Sequence, residues 1–195
     1  MRTPLAAITS AASGLRDAGG LNPAQQSLVA ELDEATARLN RLVRNLLDLS
    51  RLEAGHVRPN PDWHDLRDVV QLALQTLSHS LAQHPLTVNL PSDLPPVKFD
   101  AALTEQILVN LLSNAAIHTP EGTAIEVSAR IEADKLVLTV GDRGPGLPAG
   151  DLSRLFDRFQ RGPDAAPGGT GLGLSLVRGF AEAQGGTAVA ANRPG

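Results

Sequence analysis

Apolar residues in the first quarter of the chain recur with helical periodicity. Between Asn22 and Gly55 they are spaced alternately by four and three residues, which is the a/d pattern of a heptad repeat. The positions are Leu28, Leu32, Ala35, Leu39, Leu42, Leu46 and Leu49. Asn22-Pro23 places a favoured cap residue before a proline at the first helical position, so we expect a helix to begin there and to end at Gly55.

A shorter apolar stripe precedes this helix. Leu5, Ile8, Ala12 and Leu15 share one helical face, and Gly19-Gly20 supplies a turn, so residues 1–54 are predicted to form an antiparallel helical hairpin. Two helices alone cannot bury both stripes. The stripes pack either on the rest of the chain or on a second copy. The strict heptads favour packing on a second copy, which would give a homodimer that forms a four-helix bundle.

After a linker at residues 55–62, the pattern changes to a mixture of helices and strands. Helices are predicted at 66–81, 100–117 and 171–183, with a short helical piece at 152–159, and strands at 86–90, 125–131, 136–140 and 187–191. These elements do not alternate as regular strand–helix–strand units. Residues 63–195 are therefore predicted to form one α+β sandwich domain rather than a doubly wound sheet.

Composition excludes several classes of function. The chain is 42% hydrophobic and 19% charged, as in a soluble globular domain, and no apolar run approaches the roughly 18 residues of a membrane span. With no signal-peptide pattern either, we expect a cytoplasmic chain. A net charge of −4 argues against a nucleic-acid surface, and the absence of cysteine excludes thiol chemistry. Only Lys98 and Lys135 are lysines among the 17 basic residues, so any phosphate chemistry must use arginine, backbone amides or a metal.

Two polar clusters in the second domain could bind a ligand. Asn110 and Asn114 are four residues apart on one helix face, where paired amides can help to coordinate a hydrated Mg²⁺ or can simply face solvent. Asp142 ends a strand and is followed by Gly144 and Gly146. This carboxylate could accept a hydrogen bond from an adenine amine beside an open backbone, or the segment could be an ordinary turn.

Two further clusters are rich in aromatic residues and glycine. Phe156 and Phe159 lie at the spacing of one helical face, which indicates either a small satellite core or an anchor for a mobile loop, with Arg161 free to reach phosphate. The run Gly168-Gly169-Thr170-Gly171-Leu172-Gly173 opens a helix, where freed amides and the helix dipole favour a phosphate. It matches neither the Walker loop nor the dinucleotide-binding glycine pattern.

Taken in order, these clusters resemble the ATP-binding domain shared by sensor histidine kinases and the gyrase, heat-shock and mismatch-repair ATPases. The order is Asn-x-x-x-Asn, Asp-x-Gly-x-Gly, Phe-x-x-Phe and Gly-x-Gly-x-Gly. Arg2-Thr3-Pro4-Leu5 on a dimerising hairpin resembles only the histidine kinases among these. Trp63, Asp93-Leu-Pro-Pro96 and the final Asn-Arg-Pro-Gly are most similar to the Kdp-type potassium-responsive sensor kinases.

The resemblance implies a role for each cluster. Mg²⁺ would be held by Asn110 and Asn114, with Asn110 and Arg161 assisting transfer, and Asp142 would bind the adenine amine. Residues from about 147 to 168 would form a lid over ATP. The remaining ATP contacts would come from His118 (stacking on adenine or facing solvent), Gly144, Gly146, Phe156, Phe159, Gly169, Thr170, Gly171, Leu172 and Gly173. Thr3 matches a position that orients water when the partner regulator is dephosphorylated.

The implied activity is transfer of the ATP γ-phosphoryl group to a histidine and then to an aspartate of a response-regulator receiver domain. In the family the acceptor histidine precedes the arginine of Arg-Thr-Pro by three residues, which here would lie two positions before Met1. The chain is therefore expected to be a truncated part of a membrane-anchored parent protein. Ile117 stands where the family has a basic residue. The alternatives are a non-catalytic dimerisation and nucleotide-sensing module, and an ATPase or serine kinase of the same fold.

Overall fold

The computed structural model describes residues 2–147, 150–160 and 170–193, and it divides into two compact units. The first unit, residues 1–48, consists of helix α1 (Arg2–Asp17) and most of helix α2 (Pro23–Glu53). Gly19 and Gly20 have positive φ angles and form the turn between them. The predicted helical hairpin is confirmed.

Local hydrogen bonds explain where α2 begins and ends. The Asn22 Oδ1 accepts the Gln25 backbone N–H, and the Gln25 side chain accepts the Asn22 N–H, which is a reciprocal capping box. At the other end Gly55 has a φ of +63°, and the His56 N–H bonds to the Arg51 carbonyl. Both boundaries agree with the sequence prediction.

The hairpin closes through faces that are distinct from the heptad stripe. Leu5 and Ala12 on α1 are buried, as are Val29 and Thr36 on α2. Each pair is seven residues apart and so lies on one side of its helix. An ion pair between Arg16 and Asp33 joins the same two faces. Most of the heptad leucines lie outside this contact.

The second unit, residues 49–195, contains the last turn of α2 and all remaining elements. These are strand β1 (Asp62–His64), helices α3 (Leu66–Thr76) and α4 (Ser78–Leu81), strands β2 (Leu86–Asn89) and β3 (Val97–Phe99), helix α5 (Ala101–His118), strands β4 (Ile125–Glu132) and β5 (Lys135–Asp142), a 3₁₀ helix (Leu152–Phe156) and helix α6 (Gly173–Ala183).

A three-stranded mixed sheet forms one layer of this unit. Its strand order is β2-β4-β5, with β2 parallel and β5 antiparallel to β4. The hairpin between β4 and β5 turns at Ala133-Asp134, both with positive φ as a two-residue hairpin requires. A short antiparallel pair, β1 with β3, forms a second sheet.

Helices α3 and α5 cover one face of the sheet. Ile125, Val127 and Ala129 alternate along β4 and are buried with Leu108 and Leu112 of α5 in the main core. Asp100 caps α5 by accepting the Leu103 N–H at 3.0 Å. The predicted α+β sandwich, with its hairpin of strands and its capped helix, is confirmed.

Several details differ from the sequence prediction. The helix predicted at 66–81 is broken at Leu77, whose buried side chain turns into the core between α3 and α4. The short strands β1 and β3 were not predicted, because three residues carry too little periodicity to detect.

The strand predicted at 187–191 is wrong. Residues 187–193 adopt no regular secondary structure, although their alternation of apolar and small residues suggested a strand. A strand requires a backbone ladder with a neighbour. Here Asn192 and Arg193 bond to the sheet and to the loop after it through their side chains instead.

Candidate functional site

One face of α5 changes from apolar to polar along its length. Leu103, Ile107, Asn110 and Asn114 follow one another at spacings of four, three and four, so they form a single stripe. Leu103 and Ile107 pack against a second hydrophobic cluster that includes Leu172, Leu176 and Phe180. Packing of the apolar half against α6 therefore brings the polar half to the beginning of that helix.

Gly173, the first residue of α6, lies directly against the two asparagines. A Cβ placed on Gly173 would be 3.3 Å from the Asn110 Oδ1 and 3.4 Å from the Asn114 Oδ1. The Asn110 oxygen and the Asn114 amide group, whose nitrogen would be 3.5 Å away, thus meet at one point at the helix N-terminus. The Asn110 side-chain nitrogen donates to the Gln106 carbonyl at 2.9 Å, which turns its oxygen away from α5.

The start of α6 suits a negatively charged group. The first N–H groups of a helix have no partner within the helix, and the helix dipole adds positive potential there. The Thr170 hydroxyl accepts the Leu172 N–H at 3.3 Å and shapes the preceding turn. Leu172 itself is 1% exposed, so its side chain belongs to the core while its backbone lines the turn.

A second part of the site lies at the end of β5. The Asp142 Oδ1 accepts the Gly144 N–H at 2.9 Å, and a carboxylate retains further acceptor capacity beyond this bond. A Cβ on Gly144 would lie 2.6 Å from the Thr119 methyl group and 2.9 Å from the Asp142 Oδ1. Glycine is therefore required here by a close approach, which keeps the backbone flat beside the half-buried carboxylate.

The glycine-rich turn before α6 also contacts the described end of the loop that precedes it. Gly171 has a φ of +67°, and a Cβ there would lie 2.8 Å from the Phe159 carbonyl carbon. Glycine at 171 is thus required by both conformation and space. This contact brings residues 159–160 next to the helix N-terminus.

The two phenylalanines do not share a helical face as predicted. The 3₁₀ helix ends at Phe156, which is buried under the Arg178 guanidinium at 5.0 Å. Phe159 lies beyond the helix with a φ of +58° and is 64% exposed. The helix ends early because Asp157 is extended and forms an ion pair with Arg178. The predicted helical piece at 152–159 is correspondingly shorter.

Comparison with known proteins explains this arrangement. Residues 99–195 match the family model "Histidine kinase-, DNA gyrase B-, and HSP90-like ATPase", and residues 1–55 match "His Kinase A (phospho-acceptor) domain". Sensor protein KdpD of Escherichia coli is 36% identical over the whole chain, and KdpD of Mycobacterium tuberculosis is 38% identical. The chain belongs to the sensor histidine kinases. It spans 22–23% of the length of these Kdp relatives.

Solved histidine kinases share the fold of this chain. Acinetobacter baumannii AdeS has a TM-score of 0.68 and 27% identity, with 98% of this chain and 90% of that one covered. Full-length ShkA in complex with AMPPNP has a TM-score of 0.72 and 27% identity, with 94% of this chain and 39% of that one covered. The resemblance to the histidine kinases and the predicted fold class are both confirmed.

Some predicted site residues of this chain lie outside the described part. They are Arg161, Gly169 and the side chain of Thr3. His118 is described and is the last residue of α5, exposed beside the half-buried Ile117. Gly146 has a φ of +82° in the loop after Asp142.

Sequence reasoning missed two residues that contact the loop after Asp142. Thr119 is buried at the end of α5, where its hydroxyl donates to the Ala115 carbonyl and its methyl group contacts Gly144. The Thr-Pro pair that ends the helix was its only sequence signal. Asn192 bonds to the backbone of Leu147, and nothing local in the sequence indicates this contact.

A separate cleft of about 670 Å³ lies on the other side of α6, within the second unit. Its lining includes Leu52, Glu53, Phe156, Arg158 and Arg178, and an ion pair between Glu53 and Arg158 crosses it. Neither asparagine of α5 nor Asp142 lines this cleft. Its volume therefore says nothing about the polar site at the start of α6.

Proposed function

We propose that this chain is the catalytic core of a sensor histidine kinase that transfers the ATP γ-phosphoryl group to a histidine. From the histidine the group passes to an aspartate of a response-regulator receiver domain. The observation that carries the proposal is the convergence of the Asn110 and Asn114 amide oxygens on the first residue of α6. Two neutral oxygens at a helix N-terminus suit a magnesium–triphosphate unit, in which both signs of charge need partners.

Mg²⁺ fits the donor set at this position. Mg²⁺ binds oxygen ligands, keeps several waters and is usually shared with substrate phosphates, so two amide oxygens from the protein are a sufficient contribution. Asn110 and Asn114 would hold the ion. Gly169, Thr170, Gly171, Leu172 and Gly173 would present backbone amides to the phosphates. Bound Mg²⁺ would neutralise the charge that develops during phosphoryl transfer.

The base would bind at the end of β5. Asp142 would accept the adenine amine, Gly144 and Gly146 would form the flat floor, and His118 would stack on the ring or face solvent. Phe156 and Phe159 would anchor the loop that covers the nucleotide. The contact between Gly171 and Phe159 supports this, since it joins that loop to the phosphate end of the site.

Phosphoryl transfer depends on positioning of the reacting groups more than on covalent catalysis by the protein. A histidine nitrogen attacks the γ-phosphorus, an N–P bond forms, the bond to the β,γ-bridging oxygen breaks, and ADP leaves. Asn110 would orient the γ-phosphate, and Arg161 would offset its charge. Thr3, on the helical hairpin, would orient the water that hydrolyses the phosphorylated aspartate of the regulator.

Residues 1–54 would form the dimerisation hairpin, 55–62 the linker and 63–195 the ATP-binding domain. A homodimer is supported by the exposed apolar stripe of the hairpin. Six residues of the two predicted stripes are at least 40% exposed, namely Ile8, Leu15, Leu28, Leu32, Leu39 and Leu46. A stripe of this length rarely stays uncovered in water. No helix among the described residues is both long and apolar enough to cross a bilayer.

The first experiment is calorimetric binding of Mg·ATP to the chain and to Asp142→Ala. Hydrogen bonds to a charged group contribute about 1.5–3 kcal/mol, so the variant should bind about 10- to 150-fold more weakly. The parent should prefer ATP to GTP, and the variant should lose that preference. Asp93→Ala, an exposed aspartate in the turn between β2 and β3, is the matched control and should bind like the parent. Equal affinity of the parent and Asp142→Ala would contradict the base assignment.

A further inference from the structure

The segment after α6 contacts the sheet through Arg193 and the loop that follows Asp142 through Asn192. Asn192 forms two hydrogen bonds with one residue of that loop. Its Oδ1 accepts the Leu147 N–H at 2.7 Å, and its Nδ2 donates to the Leu147 carbonyl at 3.2 Å. A side-chain amide thus pairs with a main-chain residue as a neighbouring strand would, at the first residue of the proposed lid.

Arg193 occupies the space that a side chain at position 141 would fill if that residue were not glycine. A Cβ on Gly141 would fall 2.8 Å from the Arg193 guanidinium carbon, so the guanidinium lies flat on the glycine backbone. Glu126 is the cross-strand partner of Gly141, and its carboxylate accepts from Arg193 at 2.7 Å. Any larger residue at 141 would push the guanidinium off the sheet.

A third strand joins these contacts, and we call Asn89, Glu126, Gly141 and Arg193 together the outer-face network. The Asn89 side chain on β2 donates to the other carboxylate oxygen of Glu126 at 2.7 Å. The hydrogen bond from Arg193, followed by the one from Asn89, lowers the pKa of Glu126 below its ordinary value. The carboxylate is therefore charged at neutral pH, as an ion pair with Arg193 requires.

The outer-face network sits directly behind the base site. Successive residues of a strand point to opposite faces, so Gly141 faces the network and Asp142 faces the core. Asp142 is paired with the buried Ile125 across the sheet. Arg193 therefore supports the strand residue before Asp142, and Asn192 holds the loop five residues after it.

From these contacts we infer that Asn192 and Arg193 form a strap that positions the Asp142–Leu147 loop for nucleotide binding, with Asn192 as the residue that clamps the start of the lid. The inference rests on the proposed function for its nucleotide part. An isolated surface ion pair contributes little to stability, so the strap acts by holding the backbone of this loop in one geometry. Gly146, with a φ of +82°, gives the loop the turn that brings Leu147 under the Asn192 amide.

Amide hydrogen exchange of the full chain tests the strap without any nucleotide. In Asn192→Ala the Leu147 N–H should exchange about three- to tenfold faster, the range that loss of one ordinary hydrogen bond corresponds to. Asn192→Asp, which can accept but not donate, should lie between Asn192→Ala and the parent. Asn89→Ala is the control, because it alters the network without touching Leu147. Its Leu147 exchange should match the parent.

Calorimetry on the same variants tests the consequence for binding. Asn192→Ala should bind Mg·ATP about three- to tenfold more weakly with an unchanged melting temperature, and Asn192→Asp should be intermediate. Gly141→Ala displaces Arg193 and should weaken binding in the same direction while leaving Asp142 in place.

The outcomes separate this inference from the proposed function. Unchanged Leu147 exchange in Asn192→Ala would overturn the strap. Faster exchange with unchanged affinity, in a chain where Asp142→Ala weakens binding as expected, would overturn its positioning role. A parent chain that binds no nucleotide would overturn the proposed function and the nucleotide part of the inference together, and the exchange result would still decide whether the strap holds the loop.

Discussion

At the scale of single residues, the role of each glycine in the site depends on the atoms that lie where a side chain would begin. Gly144 faces the Thr119 methyl group, Gly171 faces the Phe159 backbone, and Gly173 faces two asparagine oxygens. From the sequence, Gly144 is interpreted as leaving an open backbone beside a flat ligand, and Gly171 and Gly173 as freeing backbone amides for a phosphate. The structure shows that glycine is needed for the close contacts at 144 and 171, whereas at 173 an added Cβ would require only a small shift of the asparagine side chains.

Gly173→Ala should separate stability from function. Alanine favours a helix by up to about 1 kcal/mol over glycine, and Gly173 has ordinary helical geometry, so thermal unfolding should not move to lower temperature. The new methyl group would displace the Asn110 and Asn114 oxygens, which lie 3.3 and 3.4 Å away. Affinity for Mg·ATP should fall by about tenfold, or about 1.4 kcal/mol.

Gly14→Ala is the control for this substitution. Gly14 lies inside α1 with nothing within 4 Å of its Cβ position, so alanine there should raise stability and leave nucleotide affinity unchanged. Calorimetry and thermal unfolding on both variants give the comparison. If Gly173→Ala bound Mg·ATP as tightly as the parent, the two asparagines would not be the magnesium ligands.

At the scale of elements, helix α2 has two apolar faces that the sequence pattern does not distinguish. The heptad leucines were expected to be buried, yet within the hairpin the buried positions of α2 are Val29 and Thr36. Each follows a heptad residue by one position, about 100° around the helix. An apolar period alone therefore does not say which face of the helix packs within the hairpin.

The exposed stripe predicts how substitutions affect assembly. Leu39→Glu should shift the chain from dimer to monomer, because it places a charge within the proposed four-helix interface. Leu47→Glu is the matched control: Leu39 and Leu47 are both 46% exposed, but Leu47 lies off the stripe. Sedimentation equilibrium at micromolar concentration measures the result. Dissociation by both substitutions, or by neither, would argue against this stripe as the dimer interface.

At the scale of the whole molecule, the proposed reaction joins the position of an acceptor histidine to an ATP site. We therefore expect activity from a chain lengthened at its N-terminus by sensor-kinase sequence that puts a histidine three residues before Arg2. With Mg·ATP it should acquire phosphate that is labile in acid and stable in alkali, as a phosphohistidine is. Radiolabel on the protein after denaturing electrophoresis gives the measurement.

Two controls belong to the labelling experiment. Asp142→Ala in the lengthened chain should reduce the label by at least about tenfold at limiting ATP, in line with its weaker binding. Substitution of the added histidine should remove the label completely. A lengthened chain that binds Mg·ATP normally and stays unlabelled would favour a nucleotide-sensing module over a kinase.

The sequence by itself determined the elements whose ends are set locally. The Asn22 capping box, the Gly55 terminus and the Asp100 cap each depend on hydrogen bonds within a few residues, so local chemistry was enough to locate them. The order of the four polar and glycine clusters, together with Arg-Thr-Pro on a heptad hairpin, identified the family.

Only the tertiary structure decided the contacts between residues that are far apart along the chain. The pairing of β1 with β3 and the packing of Thr119 on Gly144 depend on shape rather than on a local pattern. So does the absence of a strand at 187–191, where Arg193 fills the space above Gly141 and Asn192 clamps Leu147. A glycine's missing Cβ is visible in the sequence, but what fills its place is settled only when the chain has folded.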